Sequence, residues 1–170
     1  MGYTHYYEME KPDKDGFQEA LPILKKILER HKDIICSEDD QEDKEPELTE
    51  TSIRFNGKGD NAHETFIVDS ESPKWSFCKT ARKPYDLPVC EILLVLKKHM
   101  KGFKVSSDGF CGRLEQSQAI LDNPETPNSE MLEAEWAQAI ENVKKYGINY
   151  DVRISEERDP YCDLELVLKD

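Results

Sequence analysis

The sequence predicts an α+β domain with a mainly antiparallel sheet, a central buried helix and flanking helices. Three observations predict this class. Short segments that alternate apolar and polar residues are separated by turn-forming residues, which is typical of antiparallel strands. Residues 87–96 form an apolar run that only Pro88 and Glu91 interrupt, and two other segments repeat apolar residues at helical spacing.

The first elements in chain order are a strand, a helix and a hairpin. Residues 2–9 alternate and are rich in aromatic side chains, which predicts a strand. An amphipathic helix is predicted over 16–32, with Pro22 in its first two turns, where proline costs least. Residues 51–57 and 64–69 alternate on either side of the turn sequence KGDN and predict a β-hairpin.

The middle of the chain predicts a third strand, the buried helix and a further strand. Residues 73–80 alternate, so neighbouring side chains point to opposite faces of a sheet. The buried helix is predicted over 87–101, and Asp86 before it is a good N-cap. Residues 103–109 predict a strand that runs into a turn.

The last third of the chain predicts two helices and a hairpin. A short helix is expected near 113–121, followed by helix-breaking residues. An amphipathic helix then covers 132–143 and ends at Gly147. Residues 148–155 and 163–170 both alternate and predict a hairpin that extends or caps the sheet.

The length of 170 residues fits a single domain over 1–170. We divide it into a core over 1–110 and an extension over 111–170. The net charge is −13, and residues 37–50 carry eight acidic side chains and one lysine. A block of this kind predicts a mobile, solvated loop. The acidic balance argues against duplex nucleic acid as a partner, because phosphate backbones attract basic surfaces.

Other whole classes of protein are also disfavoured. No apolar run approaches about 18 residues, so no membrane partner is expected. The N-terminal residues lack the basic and apolar regions of a signal peptide. Five cysteines without a C-x-x-C pair predict neither a disulfide framework nor a zinc site. We therefore expect a cytoplasmic protein with no cofactor and no metal; the oligomeric state is left open.

Several segments resemble an uncharacterised family of short proteins from phages and from scattered bacteria and archaea. The resemblance lies in GYTHYY, IRFNGKGDNAHETF, FCKTARKPYD and VSSDG, in that order, and it covers residues 1 to 110. The family has no assigned activity. The resemblance therefore implies a shared fold unit and a phage origin, in which case the protein would act in the host cytoplasm.

A cluster of positive charge just before the buried helix is the candidate binding site. Unpaired backbone N–H groups and the helix dipole attract anions at such a position. Polar residues at neighbouring strand ends and tyrosines that can stack on a base complete the predicted site. The predicted ligand-binding residues are Lys79, Thr80, Arg82, Lys83, Arg54, Asn56, Tyr3, Tyr85, Ser106, Ser107 and Asp108.

The leading hypothesis is a binding protein for a small anionic ligand, of nucleotide type, and in a phage setting a counter-defence protein that sequesters a host signal. In the competing structural interpretation, Arg54, Arg82 and Lys83 pair with Asp86, Glu91 or the acidic loop instead.

Two further functions stay open. One is a protein–protein inhibitor or assembly factor that binds a host protein through its acidic loop. The other is a phosphoesterase, in which His5 and His63 converge with Glu64 and Asp108 as acid–base groups or metal ligands.

Overall fold

The computed structural model describes residues 3–38, 41–110, 131–159 and 162–169. These residues form three α-helices and nine strands, and every strand pairing is antiparallel, which confirms the α+β class. The helices are α1 (Lys14–Arg30), α2 (Asp86–His99) and α3 (Ala134–Val143). The strands are β1 (Thr4–Met9), β2 (Ile35–Cys36), β3 (Glu47–Leu48), β4 (Ser52–Gly57), β5 (Phe66–Asp69), β6 (Trp75–Lys79), β7 (Phe103–Ser107), β8 (Tyr150–Asp159) and β9 (Cys162–Leu168).

The described strands form three separate sheets. β1 lies at the centre of the first sheet, in the order β6-β1-β7. β4 organises the second, where β2, β3 and β5 all pair with it. β8 and β9 form the predicted C-terminal hairpin. The hairpin of β4 and β5 is therefore confirmed, but β6 does not join it and pairs with β1 instead.

Helix α2 is the centre of the core, as the apolar run predicts. Its side chains from Val89 to Leu96 are fully buried, Glu91 included. Helix α1 packs on one part of its surface and α3 on another. Burial on nearly every side explains why the run has almost no polar face.

Helix α1 begins earlier than the sequence predicts. Asp13 precedes it, and its carboxylate accepts hydrogen bonds from Gly16 N at 2.9 Å and Lys101 N at 2.7 Å. The helix therefore starts at Lys14 and Pro22 lies inside it, not in its first two turns. Because proline has no N–H, one carbonyl of the preceding turn loses its helical partner.

The acidic segment 37–50 is partly paired with the second sheet. Strand β3 pairs with β4, placing Glu47 opposite Arg54. Ser37 N also donates to Lys44 O at 3.0 Å. The expected helix near 113–121 lies outside the described residues. Within the described ranges, no helix has both the length and the apolarity needed to cross a membrane.

Candidate functional site

The turn between β6 and α2 has an unusual backbone that sends neighbouring side chains in opposite directions. Ala81 and Arg82 are both left-handed, with φ of 52° and 58°. Lys83 N donates to Thr80 O at 3.0 Å, and Asp86 N donates to Lys83 O at 2.8 Å. As a result, Thr80 is fully buried while Arg82 is partly exposed.

The cations of the predicted site are paired internally. Arg82 binds the carboxylate of Glu133 at 3.0 and 3.3 Å and covers the ring of Tyr3, with its guanidinium 4.2 Å from the ring centroid. Lys83 donates to the carbonyl of Asp60 at 3.0 Å. Their partners lie elsewhere in the fold, so these cations are not available together for an anion.

Arg54 and Lys79 are also occupied elsewhere. Arg54 pairs with Glu38 of the acidic segment at 2.5 Å. Lys79 is exposed and lies 5.6 Å from the ring centroid of Phe77. Arg82, Lys83 and Arg54 therefore contact oxygen atoms of three different residues, which are Glu133, Asp60 and Glu38. For Arg54, the competing interpretation of pairing with the acidic segment fits the structure.

The two tyrosines and the asparagine of the predicted site are buried structural residues. Tyr3 is 4% exposed and Tyr85 is fully buried, with its hydroxyl donating to Glu64 O at 2.6 Å. Asn56 is fully buried and bonds the backbone of His63 through both its amide nitrogen and its oxygen. Neither ring has the open face that stacking on a ligand requires.

The groups of the phosphoesterase hypothesis bind different partners. His63 Nδ1 contacts Lys79 O at 2.7 Å, and Glu64 accepts from Lys79 N at 2.7 Å. His63 and Glu64 therefore bind the backbone carbonyl and N–H of Lys79, the last residue of β6. Asp108 accepts from Thr4 N at 3.0 Å and from the hydroxyl of Tyr6 at 3.2 Å. His5 is fully buried, so these side chains do not form the expected acid–base group.

His5 instead belongs to a buried polar network beneath the turn. Its Nε2 lies 2.5 Å from Asp86 Oδ1, and its Nδ1 lies 2.7 Å from Ser107 Oγ. The same Asp86 oxygen accepts from Thr80 Oγ1 at 2.6 Å. Trp136 Nε1 donates to Ser107 Oγ at 2.9 Å. The network thus joins β1, β7, α2 and α3.

Asp86 does not cap α2. Tyr85 occupies the N-cap position, and Asp86 is the first helical residue with its carboxylate turned into the core. The physical reason is its pairing with His5, since a buried carboxylate needs a donor more than the helix end needs a cap.

The order of serine, histidine and aspartate in this network resembles a nucleophilic triad, but its surroundings prevent that chemistry. All three side chains are fully buried. Ser107 Oγ accepts from Trp136 Nε1 and from Gly109 N at 3.0 Å, which uses both oxygen lone pairs. A serine without a free lone pair or access to substrate cannot attack. The network can fix elements in place and offer ligands to a cation.

An open cleft of about 840 Å³ lies along the edge strand β7, between the first sheet and the C-terminal hairpin. Cavities of roughly 300–1,000 Å³ are typical of small-molecule sites. Ser106 and Asp108 are the two predicted site residues that line it. Its charged lining residues are Glu8, Lys97, Lys104, Asp108 and Glu165, and Tyr6, Trp75 and Ser106 add two aromatic rings and a hydroxyl.

One wall of the cleft is aromatic. The rings of Tyr6 and Trp75 are stacked, with centroids 6.1 Å apart and planes at 23°. Trp75 is 57% exposed, and Phe77 beside it on the same face is 44% exposed. Trp75 and Phe77 alternate with buried Cys78 along β6, so strand alternation predicts that the two rings share one face of the sheet. Alternation alone does not tell whether that face is buried or exposed.

Lys97, in the last turn of α2, also lines the cleft. Burial lowers the pKa of Lys97, and the nearby Glu165 carboxylate partly offsets this effect. Glu165 itself is bound by Arg153 Nε. Within the described ranges, no hydrogen bond or ion pair to Lys97 is found. The sequence pattern does not indicate that Lys97 lines a cleft, because a lysine in the last turn of a helix is already explained by its favourable interaction with the helix dipole.

The cleft and the buried network are therefore the two chemically distinctive features of the described residues. The likeness to a phage-associated family stays a prediction. Comparison of the chain with protein-family models, with curated proteins and with solved structures finds no match.

Proposed function

We propose that the protein binds a small anionic ligand that carries an aromatic ring, of nucleotide type, in the cleft along β7. The observation that carries the proposal is that the exposed ring of Trp75 and the partly buried side chain of Lys97 line the same cleft. The ligand class is the one that the sequence suggested; Ser106 and Asp108 belong to both sets of residues, and the other proposed ligand contacts are different.

The aromatic wall supports a planar ligand group. Large exposed aromatic side chains are unfavourable in water, and grouped ones commonly mark binding surfaces. Stacking of a base on such a ring contributes about 1–3 kcal/mol. The hydroxyl of Tyr6 donates a hydrogen bond to Asp108, which fixes the Tyr6 ring beside Trp75. The aromatic wall is therefore formed in the absence of a ligand.

Lys97 supports a negative group on the same ligand. A partly desolvated ammonium is costly, and a phosphate or carboxylate that binds it recovers part of this cost. Lys104 lies in the same cleft but already pairs with Glu10 at 3.1 Å. The charge contact is therefore assigned to Lys97.

The acceptors in the cleft fit the edge of a base better than a second anionic group. Asp108 is a carboxylate that keeps accepting capacity beyond its two hydrogen bonds. Ser106 adds an exposed hydroxyl on the outer face of β7. A ring with N–H donors and one anionic tail matches this mixed lining. In a phage setting, the same binding would sequester a host signal nucleotide.

Calorimetric titration with mononucleotides and cyclic dinucleotides tests the proposal. The chain has two tryptophans, and Trp136 is fully buried, so acrylamide quenching of the fluorescence reports mainly on Trp75. We expect heat from at least one of these ligands and protection of Trp75 from acrylamide when it is bound. Folded protein that gives neither heat nor protection would exclude this ligand class.

Matched variants locate the binding site. Trp75→Ala is expected to weaken binding by at least tenfold, whereas Phe77→Ala removes a neighbouring exposed ring that does not line the cleft. Lys97→Met is compared with Lys98→Met, since Lys98 is exposed on the same helix and lies outside the lining. If the two variants of either pair lost the same amount of binding affinity, the ligand would not be bound in the cleft.

A further inference from the structure

Three potential metal ligands from two elements meet inside the core. His5 is on β1, and Asp86 and Cys90 are on α2. Their ligand atoms all lie within 4.8 Å of one another, and all three residues are fully buried. Asp86 and Cys90 are four residues apart, so the helix places them on one face. No residue of the proposed ligand cleft belongs to this cluster.

One oxygen of the cluster has no partner. Asp86 Oδ1 is bound by His5 and by Thr80, but Oδ2 is buried and makes no hydrogen bond within the described part of the chain. The buried hydroxyl of Tyr3 is in the same state. Its ring packs edge-on against His5 at 5.1 Å. Buried polar atoms without partners are uncommon in folded proteins, and a bound ion or water is one explanation for such an atom.

The spacing of the nitrogen and the sulfur fits zinc. Zinc binds histidine nitrogen at about 2.0–2.1 Å and thiolate sulfur at about 2.3 Å, which for a tetrahedral ion puts the two ligands roughly 3.5 Å apart. His5 Nε2 and Cys90 Sγ are 3.6 Å apart. His5 Nε2 and Asp86 Oδ1, at 2.5 Å, are closer than two ligands of one ion. Asp86 would therefore bind the ion through Oδ2 or after a small rotation.

We propose that His5, Asp86 and Cys90 bind a zinc ion that fixes β1 to the first turns of α2. Three protein ligands leave one position on a tetrahedral ion. A water molecule can take this position.

Binding displaces one proton, that of the Cys90 thiol. It also requires the neutral imidazole of His5 to carry its single proton on Nδ1, so that Nε2 is free to bind the ion. Nδ1–H can donate to Ser107 Oγ once Gly109 N or Trp136 Nε1 gives up its bond to that oxygen, and this is the second contact that orients a metal-bound histidine. The hydroxyl proton of Ser107 turns to Thr4 O, 3.5 Å away. A divalent ion with one thiolate and one carboxylate leaves the buried cluster neutral.

The test is metal content after refolding, because an enclosed site must be filled as the chain folds. The purified protein is unfolded with chelator and reductant, refolded with zinc or with cobalt, and desalted. We expect one zinc per chain and a higher melting temperature than after refolding with chelator. With cobalt, we expect a thiolate-to-cobalt charge-transfer band and the visible bands of tetrahedral cobalt.

Cys90→Ser is the critical variant, and Cys78→Ser is its matched control. Cys78 is also a buried free thiol, but it lies outside the cluster. The charge-transfer band should vanish in Cys90→Ser and persist in Cys78→Ser; His63→Ala should retain it as well, which excludes adventitious binding at that exposed histidine. Wild-type protein that refolds without retaining zinc, or a cobalt spectrum lacking the thiolate band, would overturn the proposal even if Cys90→Ser fails to fold.

Discussion

His5 and Asp86 form a buried hydrogen-bonded contact across 81 residues of sequence, with Nε2 and Oδ1 2.5 Å apart and both side chains withdrawn from solvent. Replacing one partner of a buried hydrogen bond so that the other is left unsatisfied typically costs about 1–3 kcal/mol. We expect Asp86→Asn to lower the free energy of unfolding by this amount, measured by urea denaturation.

An exposed pair supplies the control for this prediction. Asp151 binds Lys169 at 3.0 Å, and more than half of each side chain is exposed. Exposed pairs are worth about 0–1 kcal/mol, so Asp151→Asn should change stability little. If both Asp→Asn variants had the same small effect, the His5–Asp86 contact would not be an important support of the fold.

Local pattern predicts most of the elements, because strands and helices leave periodic signatures in sequence. The apolar run of α2, the hairpin of β4 and β5 and the C-terminal hairpin all lie where alternation and helical spacing place them. Periodicity does not indicate which strand will pair with a given strand. In the structure β6 pairs with β1 rather than β5. Trp75 on its aromatic face lines a cleft that periodicity alone does not reveal.

The candidate site was harder to predict, because charge partners depend on tertiary contacts. Arg82 and Glu133 are 51 residues apart, and nothing local to the turn indicates their pairing. Asp86 has the sequence position of an N-cap, yet its partner on β1 turns it inward. The sequence predicts Ser107 as a ligand contact, whereas in the structure it is fully buried and bonded by Trp136.

Arg82 is expected to support the fold modestly and to have no part in ligand binding. Its bond to Glu133 is half exposed, and its contact with the ring of Tyr3 is a cation–π pair. The ion pair contributes about 0–1 kcal/mol and the cation–π contact about 0.5–1 kcal/mol. Arg82→Ala should therefore lower the free energy of unfolding by about 0.5–2 kcal/mol while the affinity for a cleft ligand stays unchanged. A large loss of ligand affinity in this variant would return the binding site to the turn.

The left-handed turn predicts a stabilising substitution. Ala81 has a φ of 52°, and a left-handed backbone costs a residue with a Cβ roughly 1–2 kcal/mol, whereas glycine adopts it freely. Part of the gain is offset because glycine makes the unfolded chain more flexible. We expect Ala81→Gly to raise the free energy of unfolding by up to about 1 kcal/mol.

A helical alanine provides the comparison for this substitution. Ala137 lies within α3, where glycine costs about 1 kcal/mol. The two alanine-to-glycine variants should therefore move the urea midpoint in opposite directions. If Ala81→Gly destabilised the protein as much as Ala137→Gly, strain in the turn would not limit stability.

Alkaline pH is expected to destabilise the protein through buried acids that are neutral when protonated. In the metal-free protein, burial raises the pKa of six such groups above their ordinary values of 9–10: Tyr3, Tyr7, Cys78, Tyr85, Cys90 and Tyr150. For Cys78 the raised pKa is about 12. Each group binds more protons folded than unfolded, so its contribution is fully present below its unfolded pKa and is lost as the pH rises through the folded value. Lys97 acts in the opposite sense, since burial lowers its pKa, but it is one group against six.

Urea midpoints measured in reductant should therefore hold steady from neutral pH to about 9 and then fall progressively. Tyr85→Phe removes one of the six groups and should make this fall shallower, although it also loses the hydrogen bond to Glu64 O. The slope is the informative quantity, because loss of that bond lowers stability at every pH alike. A midpoint that stays constant well above pH 10, or an identical slope in Tyr85→Phe, would mean that these groups ionise in the folded protein as readily as in the unfolded chain.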